Sequence, residues 1–224
     1  MTSSTVENYL KAVLHLQGAN GMTTVGEVAK ELDVTPGTVT TMMRHLSERD
    51  FVDYTPRKGL KLLPKGEQEA LTVVRRHRLI ELFLVQVMKL DWSEVHEEAE
   101  ILEHVISERL LDRIDKMLGE PTHDPHGDPI PDKDGKIAEF TGIALSVAEE
   151  GMYRVVRVSD EDSALLGWLD ENGLTIGEEI RLAHSNRAAG VLEIEKKGAE
   201  SVQLGLQMAE RVYVEMLSVS EVFR

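Results

Sequence analysis

The hydrophobic positions at the start of the chain predict two helices. Apolar residues recur every three or four positions over 5–17, and Ser4 and Glu7 have the spacing of an N-terminal capping box. A second, shorter helical pattern follows over 25–32. The sequence therefore predicts a capped first helix and a short second helix, with a break between them.

The next segment begins with a helix-start signal and ends in a β-ribbon. Thr35 is a favourable N-cap and Pro36 suits the first helical turn, so a third helix is predicted over 36–49. Residues 51–63 alternate weakly around a turn at 56–59. Two helices joined by a tight turn and followed by a ribbon predict a winged helix-turn-helix.

Two long helical patterns occupy the middle of the chain. The first covers 65–90 behind Pro64, and the second covers 93–118 with Ser93 as its N-cap. Four prolines and five acidic residues follow within 119–135. This segment is too rich in proline for a helix, and we interpret it as a linker.

Beyond the linker the pattern changes to short β-like runs. The predicted strands are 153–158, 179–182, 191–195 and 212–217. Glycines separate these runs, which favours a small antiparallel barrel. The predicted fold is mainly α with a small β domain, with domains at residues 1–63, 64–136 and 137–224.

The distribution of charge matters because the chain as a whole is acidic. A net charge of −15 over 224 residues argues against a general polyanion binder. Residues 1–63, however, carry seven basic and seven acidic side chains, so the acidic excess lies outside the helix-turn-helix segment. Cysteine is absent, which excludes disulfides and zinc–thiolate sites. With no signal peptide or membrane span in the pattern, we expect a cytoplasmic protein.

The third helix and the ribbon carry residue types that suit contact with double-stranded DNA. Small side chains at a helix N-terminus let backbone N–H groups approach phosphates, and threonine methyls can contact thymine methyls. The predicted DNA-binding residues are Thr35, Gly37, Thr38, Thr40, Thr41 and Arg44 on the helix, and Arg57 and Lys58 on the wing. The alternative is a structural helical hairpin whose threonines are only solvated.

The two long helices carry histidines and carboxylates at helical spacing. If 93–118 is one helix, four of these residues fall within one arc of about 100°: His96, Glu100, Glu103 and His104. His77 and Glu81 are four residues apart on the preceding helix. Helical bundles build metal sites from such residues, and ligands without sulfur suit Mn²⁺, Fe²⁺ or Zn²⁺. The alternative is a solvated acidic face.

The linker and the β-rich segment add further donors. The linker contains His123, Asp124 and His126, and an acidic run extends from Asp160 to Asp162. Taken alone, these residues are explained as well by solvated loops as by metal binding.

The combination of these features resembles a known family. A winged helix, then His77-x-x-x-Glu81, then the run from His96 to His104 is similar to the diphtheria toxin repressor family of iron- and manganese-dependent regulators. The stretch from His126 to Pro131 strengthens the match. The resemblance implies a C-terminal SH3-like barrel and a homodimer built on the long helices. It also implies a palindromic operator near genes for metal uptake.

The resemblance further implies two metal sites. The primary site would use Asn8, Glu100, Glu103 and His104. The second site would use His77, Glu81 and His96, completed by Asp124 and His126 of the linker or by Asp160 and Asp162 of the barrel. Asp124 stands where the three-domain manganese regulators have cysteine, so an oxygen ligand would replace sulfur.

Three positions bear on the choice of metal. Iron-sensing members have methionine where Asn8 stands and cysteine where Glu100 stands, and the harder donors here favour Mn(II) over Fe(II). Lys11 stands where two-domain members have a further glutamate, which argues against a binuclear centre. An iron-responsive regulator is the alternative.

Two rival functions come from other classes. A metallohydrolase is disfavoured because His96-Glu97 begins like a zincin motif but Glu100 breaks the His-Glu-x-x-His spacing. A metal-buffering protein would use the same ligands and keep the winged helix only for dimerisation. We predict a metal-dependent repressor and no enzymatic activity.

Overall fold

The structure is a computed structural model that describes residues 3–17, 21–159, 162–196, 198 and 200–217. It divides into two compact units. The first unit comprises Met1–His77, Glu100–Leu111 and Pro131–Ile137, and the second comprises Arg78–Ala99, Asp112–Ile130 and Ala138–Arg224. The division into residues 1–63, 64–136 and 137–224 stays a prediction.

The helix-turn-helix of the first unit forms as predicted. Its helices are α1 (Ser4–Leu16), α2 (Val25–Glu31) and α3 (Pro36–Ser47). Thr35 accepts a hydrogen bond from the Thr38 N–H at the start of α3, as its sequence position suggested. The capping box predicted for α1 is wrong, because Ser3 is its N-cap and not Ser4.

A two-stranded wing follows α3. Strands β1 (Val52–Thr55) and β2 (Gly59–Leu62) pair antiparallel, with Val52 opposite Leu62. The wing shares one hydrophobic core with α1, α2 and α3, whose most buried members include Leu10, Val13, Val28, Val39, Met43, Leu46 and Leu60. Full burial of such a side chain contributes roughly 1.5–3 kcal/mol, so α1 is firmly joined to the elements predicted to bind DNA.

The next helix ends earlier than the pattern predicted. α4 (Pro64–Phe83) passes into a single π-helical turn, Leu84–Met88. This turn ends at Lys89, which has a left-handed backbone with φ of 62°. A lysine in this conformation cannot continue a right-handed helix, so the helix predicted to reach residue 90 stops there.

The single helix predicted over 93–118 is wrong. Two helices replace it, α5 (Val95–Leu102) and α6 (Glu108–Met117). The Ser107 hydroxyl accepts a hydrogen bond from the Leu110 N–H at 3.3 Å and so caps the start of α6. Two of the four residues predicted to share one helical face therefore lie in the turn between α5 and α6.

The second unit contains a six-stranded antiparallel sheet with the order β3-β8-β4-β5-β6-β7. The strands are β3 (Ile143–Ala144), β4 (Gly151–Val158), β5 (Glu179–Asn186), β6 (Val191–Glu195), β7 (Val202–Gly205) and β8 (Val212–Met216). Four of them match predicted strands, and the β-rich fold of this segment is confirmed. Two helices were not predicted, α7 (Ser163–Glu171) and α8 (Leu206–Ala209).

The linker prediction is correct in its essentials. Residues 119–135 form neither helix nor strand apart from an isolated bridge between His123 and Pro129. Among the described residues, no helix has both the length and the apolar content needed to cross a membrane.

Candidate metal centres and DNA-binding surface

A first cluster of polar side chains lies in the first unit. Its residues come from α1, α4, α5 and the segment that follows α5, and they are Glu7, Lys11, His77, Glu100, Glu103 and His104. The Glu103 side chain is fully buried, with 0% exposed. Its Oε2 lies 2.6 Å from His77 Nδ1, and its Oε1 lies 2.7 Å from Lys11 Nζ. Every oxygen of this buried carboxylate therefore has a hydrogen-bond partner.

His104 is oriented within this cluster by a carboxylate. Its Nδ1 lies 2.6 Å from Glu7 Oε2, so the hydrogen-bond network assigns the ring proton to Nδ1. Its Nε2 has no hydrogen-bond partner among the described residues and lies 3.5 Å from Glu103 Oε1. A carboxylate that fixes one ring nitrogen and leaves the other with a lone pair is the usual support for a histidine ligand.

Glu7 is the functional residue that the sequence reasoning missed. Its side chain was interpreted as part of a helix cap, whereas it bonds to His104 and also lies 3.6 Å from Arg76. It precedes His104 by 97 positions, and no local pattern links the two. Only the packing of α1 reveals the contact.

Asn8 has the character of an oxygen ligand. Its side-chain Oδ1 is buried and has no hydrogen-bond partner among the described residues. A buried acceptor without a donor costs roughly 1–3 kcal/mol, which a bound cation would offset. The donor set of this cluster, with oxygen and imidazole nitrogen and no sulfur, fits a hard or borderline divalent ion.

A second cluster lies in the second unit. Ligand atoms of Glu81, Asp124 and His126 all lie within 4.8 Å of one another, and all three residues are buried. His96, which is half-buried, has its Nδ1 3.4 Å from Glu81 Oε1. The structure therefore brings together Glu81 and His96 of the predicted second site with the two predicted linker residues.

His126 is prepared as a ligand by its contacts with Trp92. Its Nε2 donates to the Trp92 carbonyl at 2.8 Å, and the two rings stack with centroids 5.5 Å apart. Its Nδ1 is buried and has no hydrogen-bond partner among the described residues. With Nε2 as the donor, Nδ1 is the ring nitrogen placed to bind a metal, inside a cluster that also holds two carboxylates.

The electrostatics of the second cluster favour a bound cation. Burial raises the pKa of the Asp124 carboxyl well above its usual range, and the negative charges of Glu81 and Asp128 raise it further. Arg78 opposes this effect, with its Nε 3.5 Å from Asp124 Oδ2. A divalent ion supplies the positive charge that lets adjacent buried carboxylates ionise. The residues of this cluster therefore fit a metal.

The linker turn that carries Asp124 and His126 is held from several sides. Arg78 donates to the Pro129 carbonyl at 2.6 Å and to Asp128 at 3.2 Å. The carbonyl of His126 accepts from the Val158 N–H on β4 at 2.9 Å. These bonds fix the backbone of the turn, and with it the positions of the two ligand side chains.

Only one of the two barrel residues predicted to complete the second site, Asp162, lies among the described residues. Asp160 lies outside the described residues. Asp162 is the N-cap of α7, and its other carboxylate oxygen lies 2.8 Å from Arg211. Both oxygens of Asp162 therefore have structural partners.

The predicted DNA-binding residues lie on the surface of the first unit. Seven of the eight are exposed, and Thr40 is half-buried. The hydroxyls of Thr40 and Thr41 donate to the carbonyls of Pro36 and Gly37, which leaves their methyl groups and oxygen lone pairs for a partner. Arg57 lies at the tip of the wing with a left-handed backbone, φ 69°. This surface offers hydrogen-bond donors and methyl groups of the kind that contact phosphates and bases in a duplex.

Three known domain families match this chain. Residues 1–60 match the iron dependent repressor N-terminal DNA binding domain, and residues 63–132 match the iron dependent repressor metal binding and dimerisation domain. Residues 144–216 match the FeoA domain.

Individual relatives match almost from end to end. The chain is 36% identical over 227 residues to the iron-dependent repressor IdeR of Mycobacterium tuberculosis, covering 94% of this chain and 96% of IdeR. A solved structure of a manganese-dependent transcriptional repressor in complex with manganese is 34% identical, with a TM-score of 0.88, and covers 95% of this chain and 100% of that one. The structure of the manganese regulator SloR is 34% identical, with a TM-score of 0.76, over 97% of this chain and 100% of that one.

The linker turn generates a prediction about Gly127. A Cβ at this residue would lie 2.0 Å from the Val156 carbonyl oxygen, and its φ is 87°. Gly119 is the matched control, because its φ is 81° but no atom lies within 4 Å of its Cβ position. We expect Gly119→Ala to cost about 1–2 kcal/mol through backbone strain alone. Gly127→Ala should cost more than about 4 kcal/mol and should also abolish metal binding at the second cluster.

Chemical denaturation and calorimetric titration with Mn²⁺ measure these two effects. The prediction fails if the two variants lose the same stability, or if Gly127→Ala still binds Mn²⁺ at the second cluster. Either result would show that close packing of the turn does not position the ligands.

Proposed function

Since the chain belongs to the diphtheria toxin repressor family, whose members are metal-dependent transcriptional repressors and not enzymes, we propose that Mn(II) switches it on. In this proposal the metal-loaded homodimer binds a palindromic operator and represses genes for metal uptake. Its compartment would be the cytoplasm, where its DNA target lies.

The observation that carries this proposal is that α1 contributes residues both to the core of the helix-turn-helix and to the first cluster. One face of α1 contributes Leu10 and Val13 to the core shared with α3 and the wing. Another face contributes Glu7 and Lys11 to the first cluster, where they contact His104 and Glu103. A change in the arrangement of the cluster is thereby transmitted to α1 and to the helix-turn-helix that packs on it.

The ligands proposed for the first site are Asn8, Glu100, Glu103 and His104. A divalent ion here would offset the carboxylate charges and favour the arrangement in which the ligands from α1, from α5 and from the α5–α6 turn lie close together. Glu7 fixes the ring of His104, and His77 hydrogen-bonds the remaining oxygen of Glu103. These two residues are proposed to orient ligands.

The ligands proposed for the second site are Glu81, His96, Asp124 and His126. Three of them are buried, so a metal bound here would be largely shielded from water. His77 was expected here, and its contact with Glu103 supports a role in the first site. Asp160 and Asp162 of the barrel are proposed as alternative donors to this site.

Repression would follow from the geometry of a dimer on DNA. Family members dimerise through the domain that residues 63–132 match. Two recognition helices can enter successive major grooves only at a spacing near one helical turn of DNA, about 34–36 Å. A metal that binds the correctly spaced form more tightly shifts the population toward it. An allosteric coupling of about 1–3 kcal/mol would change operator affinity roughly 5–150-fold.

Manganese is proposed over iron because of the donors at two positions. Asn8 and Glu100 supply oxygen where sulfur would favour softer ions. Mn²⁺ lies at the weak end of the divalent affinity order, so a sensor must select it by hard ligands and geometry. The iron-responsive alternative is supported by the IdeR relatives, and both metals enter the tests below.

The first test concerns the dependence of DNA binding on metal. An operator duplex is enriched from random sequences by the Mn²⁺-loaded protein, and its affinity is measured by fluorescence anisotropy with Mn²⁺ or with chelator. We expect at least a fivefold loss in chelator, in line with typical coupling (roughly 5–150-fold). Glu103→Gln should bind weakly under both conditions because the buried central ligand is lost, while Glu97→Gln, an exposed change on α5, should behave as the parent.

Equal operator affinity with Mn²⁺ and with chelator would reject the repressor switch. Metal binding without any preference for the enriched duplex would instead favour a metal-buffering protein.

The wing generates a second test. Arg57→Gln removes one positive charge from the tip of the wing, and glutamine meets the same positive φ at this position as arginine. Binding to all duplexes should therefore weaken to the same extent. The slope of log affinity against log salt should fall by about one unit. Arg187→Gln is the matched control, because Arg187 is exposed in the second unit. A salt slope that is identical in parent and Arg57→Gln would remove the wing from the interface.

Metal preference is tested with Asn8→Met combined with Glu100→Cys. The softer donors should let the double variant respond to Fe²⁺ or Co²⁺ at lower concentration than the parent, and should weaken its response to Mn²⁺. Anaerobic anisotropy titrations on one operator duplex at fixed salt measure both responses. If parent and double variant rank Mn²⁺ and Fe²⁺ in the same order, these positions do not set selectivity.

A further inference from the structure

Lys11 occupies the position in the first cluster where a cation is expected. Its Nζ lies 2.5 Å from Glu100 Oε1 and 2.7 Å from Glu103 Oε1. The Lys11 side chain is 20% exposed and the Glu103 side chain 0% exposed. One ammonium group thus bridges a carboxylate on α5 and a carboxylate in the segment that follows α5.

The oxygens that Lys11 holds are the ones a metal would need. Glu103 Oε2 bonds to His77, so Oε1 is the oxygen available for a ligand. The same Oε1 lies 3.5 Å from His104 Nε2, the ring nitrogen that keeps its lone pair. A divalent ion binds carboxylate oxygens at about 2.0–2.2 Å. An ammonium and a divalent ion that share these two oxygens repel each other at short range, so each weakens the binding of the other.

We propose that Lys11 is a tethered competitor of the metal at the first site. Its ammonium neutralises Glu100 and Glu103 when no metal is bound, and it must leave both oxygens before a divalent ion can bind them. This inference rests on the proposed metal-sensing function. It adds that the side chain of residue 11 raises the metal concentration at which the first site fills.

The ion pairs of Lys11 with Glu100 and Glu103 differ from ordinary surface ion pairs in their burial. Exposed ion pairs contribute little because water competes for both partners and the side chains lose freedom. Here one partner is completely buried, and removal of its cation would leave a buried charge close to a second carboxylate. Lys11 also comes from α1, so its bridge ties the helix-turn-helix core to the cluster in the absence of metal.

The test measures Mn²⁺ affinity in a background with one site. Glu81→Gln weakens the second cluster without changing its size, and calorimetric titration then reports the first site. In this background, Lys11→Gln should bind Mn²⁺ about tenfold more tightly than the parent, a difference of about 1.4 kcal/mol. Lys11→Arg keeps the positive charge and should stay near the parent. Lys30→Gln, an exposed change on α2, should have no effect.

A second measurement compares the melting temperatures of the parent and Lys11→Gln, and does not depend on the affinity for metal. Without metal, Lys11→Gln should melt roughly 2–4 °C below the parent, because Glu100 and Glu103 lose their shared cation. Saturating Mn²⁺ should then raise its Tm by more than it raises that of the parent. If Lys11→Gln does not fold, Lys11→Met keeps the aliphatic stem without the charge and takes its place in both measurements.

The outcomes separate this inference from the proposed function. Tighter binding in Lys11→Gln with parent-like binding in Lys11→Arg supports competition by the ammonium. Equal or weaker binding in Lys11→Gln, with operator binding that still requires Mn²⁺, overturns the role of Lys11 and leaves the repressor intact. Absence of Mn²⁺ binding in both parent and variant overturns both.

Discussion

Burial of carboxylates is the constraint on which the two clusters depend. Glu81 and Glu103 are fully buried, and Asp124 is nearly so. An ionised carboxylate in the interior is costly unless positive charge or hydrogen-bond donors surround it. The neighbours of these three residues can be understood from this requirement. Lysine and histidine surround Glu103, while arginine, backbone N–H groups and histidine approach Glu81 and Asp124. A divalent ion meets the same need with a larger charge.

Irregular backbone is what makes the clusters possible. Glu103 and His104 lie directly after the end of α5 at Leu102, and Glu100 on α5 shares the Lys11 ammonium with Glu103. In the second unit, His126 reaches its position through a turn at Gly127 that approaches β4 too closely for any side chain. Sites built at breaks in regular structure can change shape with a small change in backbone angles, which suits a sensor better than a rigid helical face would.

The charge pattern of the chain also acquires a structural meaning. The acidic excess lies outside residues 1–63, while the surface of α3 and the wing exposes Arg44, Arg57 and Lys58. Repulsion between an acidic protein and DNA falls when metal ions offset carboxylates. Bound metal would therefore favour operator binding in two ways, by reducing this repulsion and by acting through α1 on the helix-turn-helix.

The sequence by itself determined the elements that depend on local signals. Thr35 and Pro36 start α3, prolines keep 119–135 free of helices, and alternation with glycine punctuation identifies four strands. The residue types of the candidate metal sites were also evident, because histidine and carboxylate at helical spacing stand out in an apolar background. Local patterns act over a few residues, and these predictions held, whereas the capping box of α1 did not because that helix is capped by Ser3.

Only the tertiary structure decided which of these residues meet. Ser107 signals a helix start, yet the apolar pattern of 93–118 continues across the break, and periodicity alone favoured one helix. The partners Glu7 and His104, and Lys11 and Glu103, are more than 90 positions apart. Glu7 and Lys11 would be solvated if α1 packed by a different face. Long-range contacts depend on how helices pack, which is set by the whole hydrophobic core and by the cost of burying charge, and no segment of the sequence contains that information alone.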